Sequence, residues 1–274
     1  MQFYNQLSVG SARPNQSELV GFENYMFGTQ SIDEPLTAGQ FTKKVLNLLK
    51  ELETRKKLTV IVGGSGFYTY SLITGMYDNP VGDSKLKDSI ETELRSEGGA
   101  ERLLSEIKEK DFETYKKLHV NDHYRIGRAV EILRSSGKKV SELVLAQKKL
   151  FPYPFKEFVL QISRPVLLQR ITDRTVRILN EGILQEIISV KESLGLDFPA
   201  LQSVGYKQAL FHLQQCGFDV EKIDKTQLHA DIVQATMKLA KKQRTWYQRE
   251  LHGSMLRYDF QDHKGILKTI VDWL

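Results

Sequence analysis

The run Leu58-Thr59-Val60-Ile61-Val62 enters a double glycine, Gly63-Gly64, and then Ser65-Gly66-Phe67-Tyr68. Five apolar or β-branched residues without a charged break predict a strand buried on both faces, as in a parallel sheet covered by helices. A chain carrying such a strand is committed to a layered α/β fold. The glycines allow a sharp turn and close approach by another group. Ser65 falls where the strand ends and the stretch from Phe67 to Ile73 begins a helix. Ligands of open α/β sheets bind beyond the carboxyl ends of strands, which suits a hydroxyl there. A helix N-cap is the alternative role for Ser65.

Before this strand the chain opens abruptly with aromatic and apolar residues, then passes through the loop Ser11-Ala12-Arg13-Pro14-Asn15. Thr37 is placed to cap a helix starting near Ala38, with Phe41, Val45, Leu48, Leu49 and Leu52 on its apolar stripe. After Gly75 the composition changes. The loop from Asp78 to Asp83 marks a boundary, and Ser84 to Leu118 reads as two charged helices broken at Gly98-Gly99. Such a hairpin serves as a solvated face or as an insertion closing over a substrate. Asn121 or Asp122 then caps a helix with Ile126, Val130 and Leu133 on its stripe and Gly137 at its end. Arg125 and Arg128 share a face of that helix and suit phosphate contacts.

A second buried strand is predicted over Glu157–Ser163, with Arg164 at its carboxyl end. Arg170, Arg174 and Arg177 follow on one helical face, fit either to cradle a phosphorylated ligand or to pair with Asp173 and Glu181. Ser203 to Gln208 is a loop entering a helix. The helix from Ala235 to Glu250 carries Lys238, Lys241, Lys242, Arg244 and Arg249 beside Trp246 and Tyr247, a mixture that fits RNA.

Composition narrows the class further. The 274 residues are 41% hydrophobic and 27% charged, as in ordinary globular proteins, and the net charge of +5 permits a nucleic-acid partner without demanding one. The single cysteine, Cys216, leaves no internal disulfide and no cysteine-based zinc cluster, so a reducing cytoplasm is expected. No apolar run approaches the roughly 18 residues of a membrane span.

Three stretches taken together resemble the bacterial tRNA dimethylallyltransferases. Val62-Gly63-Gly64-Ser65-Gly66-Phe67-Tyr68 is similar to the family's V-G-G-T-x-L-Y. The stretch from Asn121 to Glu131 resembles N-D-x-Q-R-I-x-R-A-L-E, and Leu239 to Trp246 resembles L-A-K-R-Q-x-T-W. Val9 to Pro14, Arg170-Ile171 and Gly205-Tyr206-Lys207-Gln208 fall in family order around them. The resemblance implies transfer of a dimethylallyl group from its pyrophosphate to N6 of adenosine 37 in tRNA, with Mg²⁺ assisting the pyrophosphate. It implies a cytoplasmic, monomeric enzyme without a membrane partner. The implied fold is a P-loop-NTPase-like parallel sheet flanked by helices. Residues 1–82 and 151–274 would form this α/β core, and 83–150 a helical insertion contacting tRNA.

By the same resemblance Ser65 takes the place of the threonine at the reacting centre, Arg164 that of an arginine on the pyrophosphate, and Gln2 that of a glutamine on the target base. Arg13, Tyr124, Arg125, Arg128, Lys241, Lys242 and Arg244 are expected to face tRNA. Tyr124 replaces a family glutamine, and Met237 stands where an arginine is usual. No G-x-x-x-x-G-K-[ST] phosphate loop occurs in the sequence. Met1-Gln2 matches the end of the family's D-S-M-Q, which puts the general-base aspartate just before Met1. The chain is thus expected to lack the family's first strands and phosphate loop, to hold tRNA without transferring the prenyl group, and to be poorly stable. An RNA-binding protein without catalysis, and more distantly a P-loop nucleotide kinase, are the alternatives.

Overall fold

In the computed structural model the described residues are 1–76, 83–146, 151–248 and 255–274. They form two compact units, 1–36 with 155–274 and 37–154. The expected loop at Asp78–Asp83 falls mostly outside the described residues, as do Arg249 and Glu250 of the basic helix.

Residues 1–36 are held by short-range pairing. Tyr4 bridges Gln30 in parallel, with Asn5 N donating to Gln30 O at 2.9 Å and Gln30 N to Phe3 O at 2.9 Å. Leu7 and Ile32 are fully buried by this pairing.

The second unit begins with α1 (Ala38–Thr54), capped as its sequence suggests. Gln40 N donates to Thr37 Oγ1 at 3.2 Å, and Thr37 N donates back to Gln40 Oε1 at 2.9 Å. Phe41, Val45 and Leu52 are buried, while Leu48 and Leu49 are half-buried. Phe41 meets Tyr68 of α2 (Gly66–Thr74) edge to face, at 5.0 Å between centroids. Beyond them lie α3 (Ser84–Arg95), α4 (Gly99–Lys110), the single turn α5 (Phe112–Tyr115), α6 (His123–Ser136) and α7 (Val140–Ala146). The break between α3 and α4 comes at Gly98, whose φ of 64° is left-handed. Ile90, Leu103, Ile107, Ile126 and Val130 close a core between α3, α4 and α6. Arg134 of α6 ties the three together, 3.1 Å from Glu93 and 2.6 Å from Glu106.

The first unit continues with β1 (Phe158–Gln161), α8 (Arg164–Asn180), α9 (Ile183–Leu194), α10 (Tyr206–Gln215), α11 (Lys225–Tyr247), β2 (Leu256–Asp259) and α12 (His263–Trp273). The two strands pair in parallel, Phe158 against Leu256 through Gln161 against Asp259. Ile183, Ile187, Leu201, Tyr206, Leu213 and Leu228 are the centre of its core. The class is therefore α/β and helix-rich, with a small parallel sheet.

The strand expected over Leu58–Val62 is a correction. These residues adopt no regular structure, and Val60 and Val62 are 70% and 88% exposed. A strand persists only through hydrogen bonds to neighbours, and among the described residues neither β1 nor β2 pairs with this run. α1 and α2 cluster with residues 83–154, so the two compact units divide at Leu36/Thr37 and at Pro154/Phe155. The second expected strand is real but only partly covered, with Leu160 58% exposed.

Asp111 is the polar hinge of the second unit. It is buried, and its carboxylate accepts from Thr114 N (3.2 Å) and Oγ1 (2.6 Å) and from Ser141 N (3.0 Å) and Oγ (2.7 Å). It thereby caps α5 and steadies the start of α7. Burial raises its pKa, but the bonds from Thr114 and Ser141 outweigh this and hold it below the usual carboxylate range. Asp111→Ala is expected to cost about 2–4 kcal/mol in urea unfolding, since cap and charged hydrogen bonds are lost together. A depressed folded-state pKa stabilises at pH above the unfolded value of about 3.9 and loses that contribution as pH falls below it. The gap between wild type and Asp111→Asn should therefore be full at neutral pH and shrink below about pH 4. A gap independent of pH would mean that the carboxylate's charge is not what binds these turns.

Candidate functional site

Ser65 is the N-cap residue of α2, yet its hydroxyl makes no capping hydrogen bond. Only its carbonyl serves the helix, accepting from Tyr68 N at 3.0 Å. The residue is exposed. None of Gly63, Gly64 and Gly66 has a positive φ, so the glycines are not there to make the turn. A Cβ built on Gly63 would meet nothing within 4 Å, leaving open space beside the helix start. Ser65 thus presents an uncommitted hydroxyl next to the first N–H groups of a helix, where a developing anion is favoured. Ser65 belongs to the second unit, and the remaining expected reaction-centre residues, Arg164 and Gln2, to the first.

Arg164 is exposed and opens α8, three residues past the end of β1, as its strand-end position required. The arginines that follow are committed elsewhere. Arg170 stacks over the Phe260 ring at 5.2 Å, Arg174 donates to Ser11 O at 3.3 Å, and Arg177 lies 3.8 Å from Glu181. Of the pairings expected within this helix only Arg177 with Glu181 is found, at the surface, while Asp173 accepts from Gln169 Nε2 at 2.8 Å.

Gln2 and Arg13 are brought together by the loop between them. Gln2 Nε2 donates to Ala12 O at 2.9 Å and to Ser11 O at 3.4 Å. Arg13 donates to Tyr4 O at 2.9 Å and fills the space at Gly28, where a Cβ would lie 2.4 Å from its guanidinium. Arg13 is thus a staple of residues 1–36. Sequence reasoning missed the group that shapes this loop, Glu186 of α9. Its carboxylate accepts from Ser8 N (2.5 Å), Ser8 Oγ (3.0 Å), Val9 N (2.8 Å), Gly10 N (3.1 Å) and Tyr206 OH (2.6 Å). Tyr206 OH in turn accepts from Ser11 N at 3.0 Å. Burial and the facing Glu186 carboxylate raise the Tyr206 phenol far above its usual range, so it stays protonated and donates. The only hint in the sequence was an acidic residue in the first turn of a helix preceding Gly205-Tyr206.

On α6, Tyr124 is 83% exposed. Arg125 pairs with Asp122 at 3.3 Å at the surface, whereas Arg128 pairs with Glu131, which is buried. A surface pair contributes little and yields easily to another anion. Arg128 leaves at a higher cost than Arg125, because its departure would leave the buried Glu131 with only Lys87, 3.8 Å away. On α11, Lys241, Lys242 and Arg244 are all exposed. Lys238, Lys241, Lys242, Thr245 and Trp246 line an open hollow of about 480 Å³.

A family model described as IPP transferase matches residues 2–250. A tRNA dimethylallyltransferase of Bdellovibrio bacteriovorus is 34% identical over 253 residues, covering 91% of this chain and 80% of the relative. One from Trichlorobacter lovleyi is 31% identical, covering 90% and 79%. Among solved structures, a eukaryotic dimethylallyltransferase acting on tRNA superposes with a TM-score of 0.80 at 23% identity, over 98% of this chain and 69% of that one. The tRNA isopentenylpyrophosphate transferase of Staphylococcus epidermidis superposes with 0.63 at 23% identity, over 100% and 88%. The sequence motifs, the α/β fold and these matches agree: the chain belongs to the IPP transferase family.

Proposed function

We propose that this chain acts as a tRNA dimethylallyltransferase, directing the dimethylallyl group of dimethylallyl pyrophosphate to N6 of adenosine 37 in the anticodon loop. The observation that carries this reading is the Ser65 hydroxyl, exposed at the start of α2 and not used as a cap. In the reaction N6 attacks C1 of the allyl group, the C1–O bond breaks, pyrophosphate departs with the bonding pair, and the N6 proton passes to a carboxylate base or to water. The adenine amine is a weak nucleophile because its lone pair is delocalised, so a hydroxyl fixing its approach contributes to the transition state. Arg164 supports the departing pyrophosphate as a cation at the mouth of the β1–α8 turn. Members of the family typically use a divalent metal, and Mg²⁺ is the ion we propose, carried on the pyrophosphate. Among the described residues no three His, Cys, Asp or Glu side chains gather as a metal site, which suits an ion that keeps its waters and is held mainly by the pyrophosphate.

RNA contact is assigned to the exposed basic surfaces. Lysines beside an indole offer a phosphate a charge and a base a stacking face. The second reading, RNA binding without catalysis, is favoured by that same surface. Measuring prenyl transfer and RNA retention in one assay separates the two. Among the described residues no helix is long and apolar enough to cross a membrane.

Ser65→Ala should lower the single-turnover rate of transfer to an anticodon stem-loop by on the order of 10²-fold while leaving RNA affinity unchanged. An equal rate would reduce Ser65 to a helix boundary. Binding should weaken steeply with salt, and each phosphate contact removed should flatten the log–log slope by about 1. Reversing Lys241 and Lys242 to glutamate therefore should cost both affinity and slope, and retention of both would take α11 off the RNA. On α6 the two arginines should separate. Arg125→Ala is expected to weaken RNA without shifting Tm. Arg128→Ala is expected to destabilise by about 3 kcal/mol, because it leaves the buried Glu131 with only the more distant Lys87, at 3.8 Å.

A further inference from the structure

Gln2 presents a side-chain amide that must be the right way round to choose a base. Its NH₂ is turned inward onto the carbonyls of Ala12 and Ser11. That leaves the amide oxygen as the end available to a ligand. An outward oxygen accepts from the exocyclic amine of adenine and opposes the carbonyl oxygen that guanine carries at the same ring position. The orientation is only as firm as the two carbonyls holding it, and these belong to a loop without regular structure. Their position is fixed from the other side. Ser8, Val9 and Gly10 all aim backbone N–H groups at the Glu186 carboxylate, and Ser11 N is seated on Tyr206 OH. Gly10 lies against the Tyr206 ring so closely that a Cβ would come within 2.5 Å of it.

Resting on the proposed contact of Gln2 with the target base, we propose that Glu186 and Tyr206 are positioning residues that lock the Gln2 amide with its oxygen outward and so select adenine over guanine. Neither touches the base. Glu186 gathers the donors of residues 8–10, and the Tyr206 hydroxyl relays that anchor to Ser11, whose carbonyl is one of the two holding Gln2 Nε2. The device differs from general fold support because it acts on one side chain's orientation, and the choice of base reads that orientation directly.

The test compares binding of two anticodon stem-loop RNAs, identical except for adenine or guanine at position 37, to the 274-residue chain and its variants. Wild type should prefer the adenine RNA by about tenfold, the scale of one well-placed polar base contact. Gln2→Ala should bring the ratio to near one. Tyr206→Phe, which removes a single oxygen, should lower the ratio several-fold while keeping the salt dependence of binding, and adding it to Gln2→Ala should change nothing further. Glu186→Gln, which keeps the shape but replaces one acceptor oxygen by a donor amide, should do the same, and Glu186→Asp should recover part of the ratio. If Gln2→Ala keeps the wild-type ratio, the base contact itself is wrong and the proposal falls with it. If Gln2→Ala abolishes the preference while a folded Tyr206→Phe retains it, the base contact stands and the positioning role is overturned. Tyr206→Phe decides alone if Glu186→Gln does not fold.

Discussion

A half-buried carboxylate on α9 is the fixed point of the first unit. Glu186 collects five donors, three of them consecutive backbone N–H groups, in a region where residues 1–13 have no ladder to satisfy them. Backbone donors withdrawn from water must be paired, and three amides pointing one way form a concave nest that favours an anion. The acid supplies that anion from inside the protein. Tyr206, with no exposed surface, completes the arrangement by donating to the acid and accepting from Ser11. The apolar consequences follow from this polar anchor. Leu7 and Tyr4 are drawn in beside Ile183, Ile187 and Leu201, and Gly10 is required by the proximity of the Tyr206 ring.

Local chemistry was legible in the sequence where it is decided by neighbours. Thr37 with Gln40, Asp122 before α6, Gly98 between two helices and Gly137 after one all act within a turn of their own position. Helical stripes were legible for the same reason, since Ile126 and Val130 need only a partner of the right size. The run Leu58–Val62 was read correctly for what it is made of and wrongly for what it does here. Composition states that a segment wants burial between neighbours, but strand formation depends on hydrogen-bond partners supplied from elsewhere. No pattern within five residues can report whether those partners are present. Glu186 illustrates the converse, since its donors lie some 176–178 positions away in the chain.

The basic residues teach a related lesson about charge. Arg13, Arg128, Arg170, Arg174 and Arg177 each had the spacing or setting of an anion ligand, and each is engaged by a carbonyl, a carboxylate or a ring of the protein. Arginine's planar fork makes it useful for internal stapling and for phosphate alike, so residue type does not separate the uses. What separates them is the partner's burial. Arg125 faces an exposed Asp122 and can exchange it, whereas Arg128 is held by Glu131 with almost no water around that acid. The lysines of α11 are simpler, being exposed along one helix beside Trp246.

The start of α2 joins these threads. A serine at a helix N-cap ordinarily turns its oxygen back onto the second or third N–H, which stabilises the helix by about 1 kcal/mol. Ser65 does not, at a backbone angle of φ −88° and ψ 84° that differs from the extended cap of Thr37, and Ser163 before α8 leaves its hydroxyl out of the cap as well. α2 therefore forgoes a local stabilisation that its own sequence could supply. Gly63 leaves room for a ligand to approach the Ser65 hydroxyl. An idle hydroxyl at a helix start, with no side chain in the way at Gly63, is poorly explained by stability and suits a ligand carrying negative charge. The pyrophosphate of the proposed allylic donor carries that charge, which is why the Ser65 hydroxyl is the group proposed to meet the reacting atoms.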